Sequence, residues 1–170
     1  IRHKFKCKLD HTSVIKDMTD ALKLARESGA ESIGVNAEDA SRTEIDYLVS
    51  FAQAAKNAGA DRFRYCDTLG CDSPFTIYER IKRLVEAIKI PVELHCHNDL
   101  GMVVANSVAG AMAANDNGVD AYINTCVNGM GERAGNADLA AVILAVRYAS
   151  GTRGKYTLDE KVDLKKAWQL

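Results

Sequence analysis

Val92-Glu-Leu-His-Cys-His-Asn-Asp-Leu-Gly101 is the stretch whose reading decides the fold. It is a short apolar run that ends in two histidines with one residue between them. Successive side chains of a β-strand point to opposite faces, so Val92, Leu94 and Cys96 share one face while Glu93, His95 and His97 share the other. Two neutral imidazoles at adjacent same-face positions supply two cis ligands to a divalent metal without distorting the backbone. The alternative is a pair of histidines packed or hydrogen-bonded at a strand end.

The same two-faced pattern recurs on either side of this strand. Ile33, Val35 and Ala37, then Phe63 and Tyr65, then Ile123, Thr125 and Val127 form apolar faces. Gly34, Asn36 and Glu38, then Arg62, Arg64, Cys66 and Thr68, then Asn124, Cys126 and Asn128 form polar ones. Between these strands the apolar period is helical. The spacing predicts helices from residue 13 to the stop at Gly29, capped by Thr12 or Ser13, and over 43–58, 75–88, 101–116 and 136–149. A last helix is expected over 159–170, after a linker that begins at Gly151.

Ser28-Gly-Ala-Glu-Ser-Ile33, Ala58-Gly-Ala-Asp-Arg-Phe63 and Asn117-Gly-Val-Asp-Ala-Tyr122 are versions of one junction, a helix-stopping glycine just before a strand. Such an alternation of helix and strand requires parallel strands joined by right-handed crossovers. An open sheet with helices on both sides would read apolar on both strand faces, and these strands do not. A polar face can instead line the interior of a (β/α)8 TIM barrel. Four βα units make about half of one. The expected organisation is therefore an α/β chain whose residues 1–150 are the C-terminal half of a catalytic barrel, with 151–170 a linker and the start of a following helix. The start at Ile1, running straight into a helical pattern, reads as a piece of a larger barrel.

Composition sets outer limits. The 170 residues carry a formal charge of -1 and 47% hydrophobic content, enough for one globular core. The longest Lys/Arg run is Lys165-Lys166, so nucleic acid is not an expected partner. No stretch has the length of a membrane span and no signal sequence is visible, which points to a cytoplasmic protein. Five cysteines, odd in number and without Cys-x-x-Cys spacing, read as reduced and mostly buried thiols.

Each strand ends in polar residues: Glu38-Asp39-Ala-Ser41-Arg42, Asp67-Thr68-Leu-Gly70, the His95/His97 pair, and Asn128-Gly-Met-Gly-Glu132-Arg133-Ala-Gly135-Asn136. In a barrel these converge on one mouth. The glycines of the last loop permit close backbone approach to a ligand, while Asn136 is also placed to cap the helix that follows. Glu38 is either a carboxylate facing the mouth or the partner of Arg62 or Arg64. Asp67 and Thr68 equally suit turn-forming hydrogen bonds. Arg64 is a further substrate-binding candidate on the polar face.

His95-Cys-His97-Asn-Asp-Leu-Gly-Met-Val-Val-Ala-Asn106, followed by the Asn128 to Asn136 loop, resembles the signature pair of the DRE-TIM metallolyases, the homocitrate, 2-isopropylmalate and citramalate synthases and their lyase relatives. The likeness spans about residues 30–150. It implies a divalent metal (Mg²⁺, Mn²⁺ or Zn²⁺) on His95 and His97, with Asn136 as ligand or neighbour. It also implies an acidic ligand from a first barrel strand that these residues do not include. The reaction it implies is condensation of acetyl-CoA with a 2-oxoacid followed by thioester hydrolysis, with Glu38 in proton transfer and Thr68 on the oxoacid carboxylate. The loops after Ala37 and Asp67 look closest to homocitrate synthases, hence 2-oxoglutarate. A 2-isopropylmalate, citramalate or citrate synthase is the alternative, as is a non-catalytic half-barrel. The unpaired strand edges expected near Val35 and Val127 call for covering chain, and a homodimer is the expected assembly.

Two imidazoles and an amide hold a hard cation such as Mg²⁺ weakly without an anionic ligand. Metal titrated into these 170 residues alone should bind much more weakly than into a chain with the preceding barrel strands restored. Equal affinity and equal activity would show that the half-barrel reading is wrong.

Overall fold

A computed structural model describes residues 7–158 together with Asp163 and Lys166. The helix expected over 159–170 falls, but for those two positions, outside the described residues. In chain order the elements are α1 (His11–Glu27), β1 (Gly34–Ala37), α2 (Ile45–Asn57), β2 (Arg62–Asp67), α3 (Pro74–Ile88), β3 (Val92–Cys96), α4 (Val103–Asp116), β4 (Ala121–Ile123) and α5 (Leu139–Tyr148). The four strands form one parallel sheet in the order β1-β2-β3-β4.

The register sets the apolar positions side by side. Phe63 pairs with Val35 and Val92, and Tyr65 with Ala37 and Leu94. That face is sealed by Leu48 and Ala52 of α2, Ile77, Ile81, Leu84 and Ile88 of α3, and Ala113 and Ala114 of α4. Each fully buried aliphatic or aromatic side chain contributes roughly 1.5–3 kcal/mol, so this layer carries much of the fold's stability. The α4 helix lies close on β3, since a Cβ added at Gly110 would lie 2.7 Å from Leu94 Cδ1. Tyr65 keeps its hydroxyl satisfied inside this apolar layer, donating to Asp72 Oδ2 at 2.7 Å and accepting from Arg80 Nε at 2.8 Å. With helices on one face only, the sheet is about half of a (β/α)8 barrel.

Three local expectations are corrected. Asp10, not Thr12 or Ser13, caps α1, because its carboxylate accepts the Ser13 N–H at 2.7 Å. The fourth strand stops at Ile123 instead of running to Val127, which lies in a short 3₁₀ turn. Beyond Asn124, whose N–H still reaches Leu94 O at 3.0 Å, the chain leaves β3 and pairs with its own return segment: Cys126 donates to Ala137 O and Leu139 to Cys126 O. The sheet edge is therefore at 121–123 and not near Val127. Finally, α5 begins at Leu139 with Asp138 as its cap, accepting from Ala141 N–H at 2.8 Å, so Asn136 is released from capping.

The polar face is held by one carboxylate. Glu93, opposite Arg64 in the register, lies 2.6 Å from Arg64 Nη2 and 3.2 Å from Arg62 Nε, and accepts from Asn124 Nδ2 at 2.7 Å. Glu93 is thus the partner of both interior arginines, joining β2, β3 and the residue after β4. Burial pushes the Glu93 carboxyl up, but hydrogen bonds from Arg64 and Asn124 and the two guanidinium charges outweigh it and hold the group below its ordinary value. A depressed carboxylate contributes stability that is fully present above its unfolded pKa and is lost as pH falls through the folded value. Glu93→Gln should cost about 1–3 kcal/mol near pH 7, less than the ~3–5 kcal/mol of a fully buried pair because the arginines keep part of their water. Urea midpoints measured between pH 3 and pH 7 should also show a flatter acid limb for the variant. An unchanged acid limb would mean that Glu93 does not hold the face.

Candidate active site

The strand ends carry the functional groups in successive layers of the polar face. Arg64 and Glu93 sit mid-strand, Cys66 and His95 pair one step further on, and His97 lies beyond the end of β3. The two imidazoles stand on the same side, with ring centroids 5.1 Å apart and planes at 85°. His97 is buried, and its Nδ1 has no hydrogen-bond partner among the described residues. Burial, then the neighbouring His97 and the Arg64 charge, lower the pKa of His95, which favours the neutral imidazole that a metal requires.

Asn136 reaches this pair because of the return segment. Where β4 would continue along β3, residues 135–138 take its place: Asn98 donates to Gly135 O at 3.0 Å and His97 forms an antiparallel bridge with Asn136. The Asn136 amide nitrogen donates to Cys96 O at 2.9 Å, which fixes the amide and, among the described residues, leaves its oxygen with the Cys126 thiol alone, at 3.9 Å. An orphaned buried imidazole nitrogen, a second imidazole and an amide oxygen form a nitrogen- and oxygen-donor set that fits a divalent cation. Among the described residues, no group of three or more His, Cys, Asp and Glu side chains is placed to hold a metal ion.

The other candidate residues flank this centre. Asp67 accepts from the Cys71 and Asp72 N–H groups, the local turn bonding that the sequence allowed, whereas Thr68 accepts the Asp39 N–H on its hydroxyl oxygen at 2.8 Å and so joins the loop after β2 to the loop after β1. Glu38 is exposed in the turn after β1, near enough to Cys66 for its charge to raise that thiol. Burial is the larger cause, and Cys66 is pushed up to about 12, which excludes a thiolate nucleophile at neutral pH. Two participants had no assigned role from sequence. Asn124 orients against Glu93. Arg133 makes a two-pronged pair with Asp99, at 2.8 and 3.0 Å, and also donates to Thr68 O at 2.6 Å. Asn124 showed in the sequence only as a polar residue at a strand end, which many solvated loops share, and Arg133 lay in the Asn128 to Asn136 loop without a role of its own.

A one-sided parallel sheet with two histidines at the C-terminal end of one of its strands defines the class: a (β/α)8-barrel unit whose polar site lies at the strand mouth. Within that class the chain belongs to the HMGL-like family, whose profile matches residues 1–170. It is 54% identical over 170 residues to Citrate (Re)-synthase of Dehalococcoides mccartyi (strain CBDB1), covering all of this chain and 41% of that protein. To 2-isopropylmalate synthase 2 of Caldanaerobacter subterraneus subsp. tengcongensis it is 43% identical over 163 residues, 96% of this chain and 39% of the relative. Homocitrate synthase 1 of Nostoc sp. is 42% identical over 137 residues, 81% of this chain and 35% of the relative. The chain thus spans about two fifths of the length of these relatives. Among solved structures, the carboxyl transferase domain of Rhizobium etli pyruvate carboxylase superposes with a TM-score of 0.70 at 20% identity, over 91% of this chain and 25% of that one. At that identity the likeness establishes the fold alone.

Two glycines of the last loop separate stability from site geometry. A Cβ at Gly135, where φ is +95°, would collide with the backbone carbonyl of Gly129; one at Gly131 would collide with Asn136 Oδ1, the end of a side chain. Gly135→Ala should therefore cost about 2–4 kcal/mol in chemical denaturation, as backbone conflict at positive φ does. Gly131→Ala should cost under about 1 kcal/mol and instead displace the Asn136 amide, weakening Mn²⁺ binding in a calorimetric titration of the intact protein. Equal stability losses in the two variants would contradict this packing.

Proposed function

We propose that the protein carrying this chain is a metal-dependent synthase that condenses acetyl-CoA with a dicarboxylic 2-oxoacid, oxaloacetate, to give citrate and CoA. The observation that carries the reaction class is the convergence of His95, His97 and Asn136 at the mouth. The identity of 54% along the whole chain to Citrate (Re)-synthase supports oxaloacetate. 2-Oxoglutarate, expected from the loop resemblance, is the second reading and is supported by the 42% identity to a homocitrate synthase.

In this reading His95, His97 and Asn136 hold the cation together with the acid of the first barrel strand. Bound there, a divalent cation supplies Lewis-acid polarisation of the substrate ketone. Arg62 and Arg64 bring two positive charges against the one of Glu93, and the Arg64 side chain is 31% exposed on the polar face, which suits it to a second substrate carboxylate. Thr68 already accepts the Asp39 N–H, so its own hydroxyl proton is directed away from that bond and is available to the oxoacid carboxylate. Glu38 takes or relays the proton of the acetyl methyl. The methyl C–H breaks, the new C–C bond forms to the ketone carbon, the former ketone oxygen gains a proton, and water cleaves the thioester to release CoA.

Thiol release from acetyl-CoA by the intact protein should be fastest with oxaloacetate, slower with 2-oxoglutarate and slowest with pyruvate or 2-oxoisovalerate. Arg64→Met should raise KM for oxaloacetate about 10- to 100-fold, the loss of a hydrogen bond to a charged group, and raise KM for pyruvate far less. Preference for 2-oxoglutarate would move the assignment to homocitrate formation, and preference for a monocarboxylic oxoacid would remove the role given to Arg64.

A further inference from the structure

One side chain at the mouth touches three loops at once. Arg133, in the loop between β4 and α5, lays Nε and Nη2 against the two carboxylate oxygens of Asp99, in the loop after β3, at 2.8 and 3.0 Å. Its Nη2 also donates at 2.6 Å to the Thr68 carbonyl, in the loop after β2. A planar guanidinium has the donors to do this from one position, whereas an ammonium is a point charge without a fork. The backbone of Arg133 lies at φ +59°, in the left-handed region that residues with a Cβ seldom adopt. Around it the loops are already in contact: a Cβ at Gly70 would lie 2.6 Å from His97 O and 2.9 Å from Asp99 N. Asn98 ties the last loop to the end of β3 by donating its backbone N–H to Gly135 O, and within that loop Asn136 donates its N–H to Gly129 O.

We propose that Arg133 is a positioning residue, which fastens the loops after β2, β3 and β4 to one another and so holds His97 and Asn136 in register for one shared cation. The inference rests on the proposal that His95, His97 and Asn136 bind a divalent metal, and adds the device that sets their spacing. Asp99 stands two residues beyond His97, and Arg133 three residues before Asn136, so the Asp99 to Arg133 pair closes a bridge around the two ligands. The backbone bonds bring the loops together; the guanidinium sets how they are turned against each other. Without the fork, the histidine end and the asparagine end are joined by backbone contacts and by the Asn136 amide bond to Cys96 O alone among the described residues, and the ligand spacing relaxes.

The test is Mn²⁺ affinity, read by electron paramagnetic resonance in the intact protein, for wild type, Arg133→Lys, Arg133→Gly and Asp99→Asn, with thermal unfolding recorded in parallel. Arg133→Gly relieves the left-handed backbone, so its fold should be no less stable than that of the wild type. All three variants should nevertheless bind Mn²⁺ about 10- to 100-fold more weakly, the usual effect of losing a residue that orients a metal ligand. Arg133→Lys should recover little of the loss, because it restores charge but not the fork. If the wild type binds Mn²⁺ and the variants bind it equally well, the positioning role is overturned while the metal site stands. If the wild type does not bind Mn²⁺, the site reading itself fails and this inference with it. Loss of binding matched by a falling unfolding temperature in every variant, Arg133→Gly included, would show a structural role only and would also overturn it.

Discussion

Everything on the polar face depends on the sharing of Glu93 by Arg62, Arg64 and Asn124. A parallel sheet covered by helices on one side leaves its other side to be filled by side chains, and here those side chains are charged. Charged groups withdrawn from water are tolerated only when paired and hydrogen-bonded, so an unshared guanidinium in that position would work against the fold. With the carboxylate beneath them, β2, β3 and the residue after β4 are joined by ionic contacts as well as by backbone bonds. The layer above, with Cys66, His95 and His97, then has a floor that is already neutralised in part. Burial and the remaining guanidinium charge of that floor favour the neutral form of His95.

A second constraint acts at the strand ends. Continuing β4 along β3 would have used the hydrogen-bonding groups of His97 and Asn98 for a fourth full-length strand. The chain instead folds back, and residues 135–138 take those positions. Glycine makes this possible at the two points where backbone meets backbone or an amide, Gly135 against Gly129 and Gly131 against Asn136. Shortening the strand brings the Asn136 amide beside the end of the histidine strand. The site is thus built from main-chain pairing that departs from the regular βα repeat at the one loop where the repeat ends in glycines.

The helical layer does a different kind of work. Leu48, Ile77, Ile81, Leu84 and Ile88 are interchangeable in principle with other aliphatic residues of similar volume, and they determine that the sheet is covered, not what it does. The polar strand ends are not interchangeable in this sense, because each makes a directed contact. The three relatives described above, named for citrate, 2-isopropylmalate and homocitrate formation, are 42–54% identical to this chain.

The alternation of apolar and polar residues in 62–66 and 92–97 was sufficient to assign each side chain to a face, and with it the one-sided parallel sheet, the helices between the strands and the placing of Glu93 on the same face as both arginines. Periodicity is a local property, and strand geometry converts it directly into a face. The adjacency of His95 and His97 followed in the same way. Tertiary structure alone decided where β4 ends, that Asp138 and not Asn136 caps α5, and that Arg133 joins three loops. Each of these is settled by competition among hydrogen-bonding partners far apart in sequence: Asn136 can cap a helix or turn to Cys96 O, and Arg133 can face water or Asp99. Residue type permits both outcomes, and only the packed loops select one.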